Sequence, residues 1–133
     1  MIERGSNKAK LVPVERRDAN TLLPIIAANV APGSIIVSDG WAAYGRVASL
    51  QQQFKYRWVN HKLNFVNPND SNTHTQSIEG TRSATKRTLR HLHGTSEELF
   101  PTYLYQYMFR RMYSHTKIFE NMLESIRTVY NFD

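Results

Sequence analysis

Two carboxylates and a set of bases are the residues of this sequence best placed to do chemistry. Asp39 closes the apolar part of S-I-I-V-S-D-G-W-A-A-Y, Ser34–Tyr44. Ile35, Ile36 and Val37 form a β-branched run too short for a helix, introduced by the turn pair Pro32-Gly33, and read as a buried strand. A carboxylate at the carboxyl end of such a strand stands where open α/β sheets bind their ligands. The plain alternative is that Asp39 caps a following helix. Glu79 lies in a helical pattern. At about 100° per residue it shares a narrow stripe with Ser83, Lys86 and Arg90. Ile78, Thr85, Leu89 and Leu92 form a packing stripe about a quarter-turn away. A solvated charged face fits the same spacing. With Arg87, Arg110 and Arg111, the bases Lys86 and Arg90 would supply phosphate contacts to a nucleic acid, in binding that falls steeply with salt.

These residues need a frame to hold them. Lys10–Glu15 reads as an edge strand because of Pro13, with Met1–Arg4 as the tail of a preceding one turned at Gly5-Ser6-Asn7. Asp18 is the expected N-cap of a helix over Ala19–Val30, whose Leu22, Leu23, Ile25, Ile26 and Val30 give a broad apolar face. The strand ending at Asp39 follows, then a helix over about Trp41–Leu50 and a strand over Phe54–Val59. Strands and helices in alternation argue for an α/β sheet. Asn60–Thr75 is polar and rich in turn residues, and reads as a long loop of the kind that often carries function. The helix bearing Glu79 runs from about Thr75 to His93 and stops at Gly94. Thr95 and Glu98 have capping-box spacing. Beyond them Phe100, Tyr103, Leu104, Tyr107, Met108, Arg111 and Met112 recur at helical spacing. Ile118, Phe119, Met122, Leu123, Ile126, Val129 and Tyr130 do so again in a last helix. Aromatics and methionines spaced in this way are expected to be core.

Composition sets the outer limits. The chain has 133 residues, enough for one domain with a real core. Hydrophobic residues make up 41% and charged ones 21%, ordinary globular proportions. Lys and Arg outnumber Asp and Glu by 17 to 11, a net charge of +6 that tilts the expectation toward a polyanionic partner. No apolar run approaches membrane-spanning length, and the N-terminus lacks a signal-peptide core, so no membrane partner is expected. The absence of cysteine suits an intracellular protein, cytoplasmic or nucleoid-associated in a prokaryote. His61, His74, His91, His93 and His115 are scattered without zinc-site spacing.

Several segments, taken in order, resemble the ISXO2-like, or IS1595, insertion-sequence transposases. They are V-P-V-E-R-R-D-A-N-T-L-L-P-I-I (Val12–Ile26), P-G-S-I-I-V-S-D-G-W-A-A-Y (Pro32–Tyr44), V-N-H (Val59–His61), F-V-N-P (Phe65–Pro68), H-T-Q-S-I-E-G (His74–Gly80) and K-R (Lys86–Arg87). The resemblance extends through about Arg111. It implies a ribonuclease-H-like α/β fold, a mixed sheet flanked by helices, with residues 1–115 forming a partial DDE transposase domain and 116–133 a C-terminal helix. It implies that Asp39 and Glu79 are the second and third acids of a D-D-E set holding two Mg²⁺ or Mn²⁺ ions, and that Lys86 contacts DNA. The residue types agree, since hard divalent cations take oxygen ligands. The reaction implied is phosphodiester hydrolysis at a transposon end and strand transfer into target DNA. His61, His74 and Gln76 adjoin family motifs and are candidates to line the site, with Lys86, Arg87 and Arg90 as DNA-binding residues.

The chain also departs from the family pattern. The first acid of the family and its opening strand are expected upstream of Met1, and Gln76 stands where the family has Asn. Thr81 and Arg82 replace a bulky aromatic pair. The expectation is therefore a truncated or decayed copy with impaired catalysis. The alternative is a non-catalytic nucleic-acid-binding domain that kept the scaffold. Transposon ends and target DNA are the expected partners, and a homo-oligomer is left open.

Overall fold

The computed structural model describes residues 1–60, 66–67, 70–92, 94–113 and 115–130. Its elements are helix α1 (Ala19–Asn29), strand β1 (Ile35–Ser38), strand β2 (Lys55–Trp58), strands β3 (Val66–Asn67) and β4 (Asp70–His74), and helices α2 (Gln76–Arg90), α3 (Phe100–Met112) and α4 (Ile118–Val129). The class is mixed α/β with a small parallel sheet, as the alternation of patterns predicts. The chain divides into two units, Pro13–Arg82 and a second made of Met1–Val12 with Ser83–Asp133.

In the first unit, Asp18 starts α1 as expected. Its Oδ1 accepts from the Thr21 amide and the Thr21 hydroxyl, both at 2.9 Å. Those bonds and the Arg16 guanidinium at 3.0 Å hold the carboxyl below the usual carboxylate range. The helix buries Leu23 and Ile26. Val30 turns extended, and Gly33, at φ 75°, donates its amide to Gln52 O at 2.8 Å as the chain enters β1. Strands β1 and β2 pair in parallel, Ile35 opposite Lys55 through Ser38 opposite Trp58.

Three expectations in this unit are corrected. The strand of Ile35–Val37 is not buried: Ile35 is 52% exposed and its two neighbours are half-buried. Among the described residues this sheet has two strands, and β1 pairs with β2 alone. The helix expected over Trp41–Leu50 is two short 3₁₀ turns, Ala42–Tyr44 and Val47–Ser49. Gly40 enters the segment at φ 74° and Gly45 closes the first turn with an i to i+3 bond, which starves an α-helix of length. Ala43 and Val47 still point inward together, buried with Phe54 and Val59. The long loop of Asn60–Thr75 contains the antiparallel hairpin β3–β4, irregular between Val66 and Asn67. Strand β4 runs close to both β1 and β2, and Thr73 and Thr75 at its end are buried.

In the second unit the strand expected at Lys10–Glu15 is absent. Pro13 has no N–H to give a ladder. Instead Ile2 and Ala9 form an isolated antiparallel bridge around the turn at Gly5, and the Leu11 amide donates to Met108 Sδ at 3.0 Å. The capping box at Thr95–Glu98 is not formed. Ser96 Oγ accepts from the Leu99 amide at 3.3 Å, and α3 begins one residue later with Pro101 in its first turn. The last helices are not core as expected. Leu104 is buried on α3, but α4 buries no residue, and Phe119, Met122, Leu123, Ile126, Val129 and Tyr130 are all exposed. The spacing predicted which side chains share a face, and nothing described covers that face.

Candidate functional site

Asp39 follows the last residue of β1 and is exposed. It does not cap a helix. The Trp41 amide donates to its Oδ1 at 3.2 Å, an Asx-turn that fixes one carboxylate oxygen and leaves the other directed elsewhere. The preceding Ser38 Oγ accepts from the Gly40 amide at 3.1 Å and lies 2.7 Å from the Tyr56 hydroxyl on β2. Gly40 is required here for two reasons. Its φ is left-handed, and a Cβ would lie 2.8 Å from Trp58 Cε3. The turn that presents Asp39 is therefore pinned from both strands.

Two further side chains lie near this turn. Burial pushes the half-buried Tyr44 phenol up from its ordinary pKa, and the charge of Asp39 pushes the same way, while Arg17 opposes both. The Arg17 guanidinium also lies 5.8 Å from the Trp41 ring centroid, a cation–π contact. Tyr44 thus stands between the charge of Asp39 and that of Arg17, whose guanidinium also lies over Trp41. The sequence does not single out Arg17, and it suggests a core place for Trp41 and Tyr44; Tyr44 is half-buried and Trp41 is exposed.

Glu79 lies in the first turn of α2 and is exposed. The buried Thr75, directly before the helix, donates its hydroxyl to Glu79 Oε1 at 3.2 Å, and its carbonyl accepts the Glu79 amide at 3.1 Å. A carboxylate in a first turn is stabilised by the unpaired N–H groups of the helix end. Strand β4 leads through Thr75 into this turn while running beside β1, whose end carries Asp39. Both acids therefore belong to one unit, each with one oxygen held by a local hydrogen bond. Among the described residues, no group of three or more His, Asp or Glu side chains is placed to hold a metal ion.

Of the other candidates, His74 is half-buried at the end of β4 and Gln76 is exposed as the first residue of α2. His61 lies outside the described residues. Lys86, Arg87 and Arg90 are exposed along α2, while Thr81 and Thr85 are its buried residues. The packing stripe was thus only partly foreseen: Thr85 is buried as expected, but Ile78 is 39% exposed and Thr81 takes the inward place. No helix among the described residues is long and apolar enough to cross a membrane.

Residues 1–111 match the family model described as the ISXO2-like transposase domain. No curated protein and no solved structure matches the chain.

Proposed function

Since the chain belongs to the ISXO2-like transposase family, we propose that it acts on DNA as part of a transposase, with Asp39 and Glu79 as metal-holding acids. The observation that carries this reading is the pair of exposed carboxylates in one unit, at the end of β1 and in the first turn of α2. The fold we infer is ribonuclease-H-like, with the parallel β1–β2 pair as part of its sheet. The donor types fit Mg²⁺ or Mn²⁺, which take carboxylate oxygens and keep several waters. Bound there, such ions would activate the attacking oxygen and stabilise the leaving oxygen of an in-line phosphodiester displacement. The chain's own contribution is orientation. The Trp41 amide fixes the Asp39 carboxylate, the Thr75 hydroxyl fixes that of Glu79, and Lys86, Arg87 and Arg90 offer cations to the DNA backbone. Two carboxylates are a partial set, so a third acid is needed for full two-metal chemistry.

The test is Mn²⁺ binding by electron paramagnetic resonance together with nicking of supercoiled DNA. Asp39→Asn and Glu79→Gln should each weaken Mn²⁺ binding by about tenfold or more, the scale of losing a charged ligand or its support. Unchanged Mn²⁺ affinity in both variants would remove the assignment. A DNA-binding domain without cutting activity is the second reading, favoured by the exposed bases and the net charge of +6. It predicts salt-sensitive DNA binding, a slope lowered by roughly one in Lys86→Ala, and no Mn²⁺-dependent nicking.

A further inference from the structure

A groove in the second unit plays no part in that reading. It has a volume of about 510 Å³, within the range of small-ligand sites, and lies between the end of α2 and α3. Leu89 of α2 and Leu92 just beyond its end line one side; Tyr103, Tyr107, Arg110 and Arg111 of α3 line the other. Tyr103, Tyr107 and Arg111 recur every four residues on α3, so two rings and a guanidinium form one row.

Among the described residues the two arginines have no carboxylate partner. Arg111 Nε is buried and has no hydrogen-bond partner among the described residues. No described carboxylate lies within ion-pair distance of Arg110 or Arg111, and none of the described carboxylates lines the groove. Buried donors in folded proteins are nearly always satisfied, so an orphaned guanidinium N–H beside a groove calls for an acceptor. A phosphate matches the edge made by Nε and a terminal nitrogen with two parallel charge-assisted bonds, provided the side chain turns that edge toward the groove it lines. The tyrosine rings and leucine side chains next to it offer what a planar base stacks on.

We propose that this groove binds a nucleotide, its phosphate on Arg111 and Arg110 and its base against Tyr103, Tyr107 and the leucines. The nucleotide is supplied free or as an unpaired unit of a DNA strand. Neither Asp39 nor Glu79 lines the groove, and the proposal does not depend on their role in cutting.

The test titrates the whole chain with thymidine monophosphate, thymidine, inorganic phosphate and a decathymidylate strand, following the Tyr103 and Tyr107 ring signals by NMR. The monophosphate should shift both rings and bind roughly tenfold or more tightly than thymidine or phosphate alone, because both halves of the site are then engaged. Arg111→Gln should lose that gain. If Arg111→Gln unfolds, the exposed Arg110→Gln should weaken the monophosphate severalfold with an unchanged circular dichroism spectrum. A decathymidylate strand that binds more tightly than the monophosphate identifies the strand as the source, and equal binding identifies the free nucleotide. Unmoved tyrosine signals, or phosphate alone binding as well as the monophosphate, would overturn the proposal. Asp39→Asn should keep monophosphate binding, so loss of metal binding and loss of the groove are read separately.

Discussion

The two units of this chain are built on different terms. Pro13–Arg82 holds nearly all the buried apolar side chains: Leu23, Ile26, Ala43, Val47, Phe54 and Val59. The unit of Met1–Val12 and Ser83–Asp133 buries Leu104 and Thr85, and carries a row of exposed apolar residues along α4. The candidate acids project from the well-packed unit and the arginine groove belongs to the sparsely packed one. Metal ligands need fixed oxygens, which a packed scaffold with pinned turns supplies. A groove that accepts a ligand by a side-chain rotation tolerates a looser frame.

The largest expected effect separates the two units by stability. Phe54 is 4% exposed, and Phe54→Ala should cost about 3–5 kcal/mol in a urea or calorimetric unfolding experiment. Leu123 is 50% exposed, and Leu123→Ala should stay within about 0.5 kcal/mol. A comparable loss at Leu123 would break the comparison, because it would mean that the apolar face of α4 is covered in solution.

That contrast also marks what the sequence could and could not reveal. Asp18 as a cap, β1 and β2 as strands, α2 as the helix of Glu79, and the position of Asp39 at a strand end were all legible. Each depends on a few adjacent residues. The 3₁₀ turns after Gly40 were not legible, since W-A-A-Y-G-R-V-A-S-L has the apolar spacing of a helix and Gly45 was outvoted. The β4 strand was missed because D-S-N-T-H has no apolar alternation; its burial comes from Thr73, and its neighbours β1 and β2 are distant in sequence. The exposure of α4 was missed for a complementary reason. Periodicity names the residues on a face and is silent about its cover. Arg111 read as one more helical base, because its orphaned Nε is a property of packing alone.

A smaller effect tests how firmly the packed unit holds the turn at Asp39. Gly33 and Gly40 share nearly the same left-handed φ, 75° and 74°, but a Cβ at Gly33 meets open space and one at Gly40 meets Trp58. Both alanine variants carry the backbone penalty of about 1–2 kcal/mol. Gly40→Ala should add roughly 0.5–1.5 kcal/mol more, because the indole must leave its rotamer. Trp58 is 53% exposed and has room to give, which keeps the increment small. Tryptophan fluorescence should change in Gly40→Ala and not in Gly33→Ala. Equal unfolding midpoints would show that the turn is not pinned by Trp58.

The smallest expected effect is a titration, and it probes Asp39 in place. The Tyr44 phenol is raised first by burial and second by the Asp39 charge. Its neutral form is therefore favoured in the folded chain relative to the unfolded one, where it ionises near the ordinary value of about 10. The stabilising difference is fully present below that value. It is lost as pH rises through the ordinary value toward the higher folded one, because the unfolded chain releases its proton first. Asp39→Asn removes the second cause and leaves the first, so the Tyr44 pKa should fall while staying above ordinary. The ¹³Cζ resonance of Tyr44 followed against pH reads this directly. A pKa unmoved by Asp39→Asn would mean that the carboxylate points away from Tyr44, and that the end of β1 presents Asp39 in a different direction.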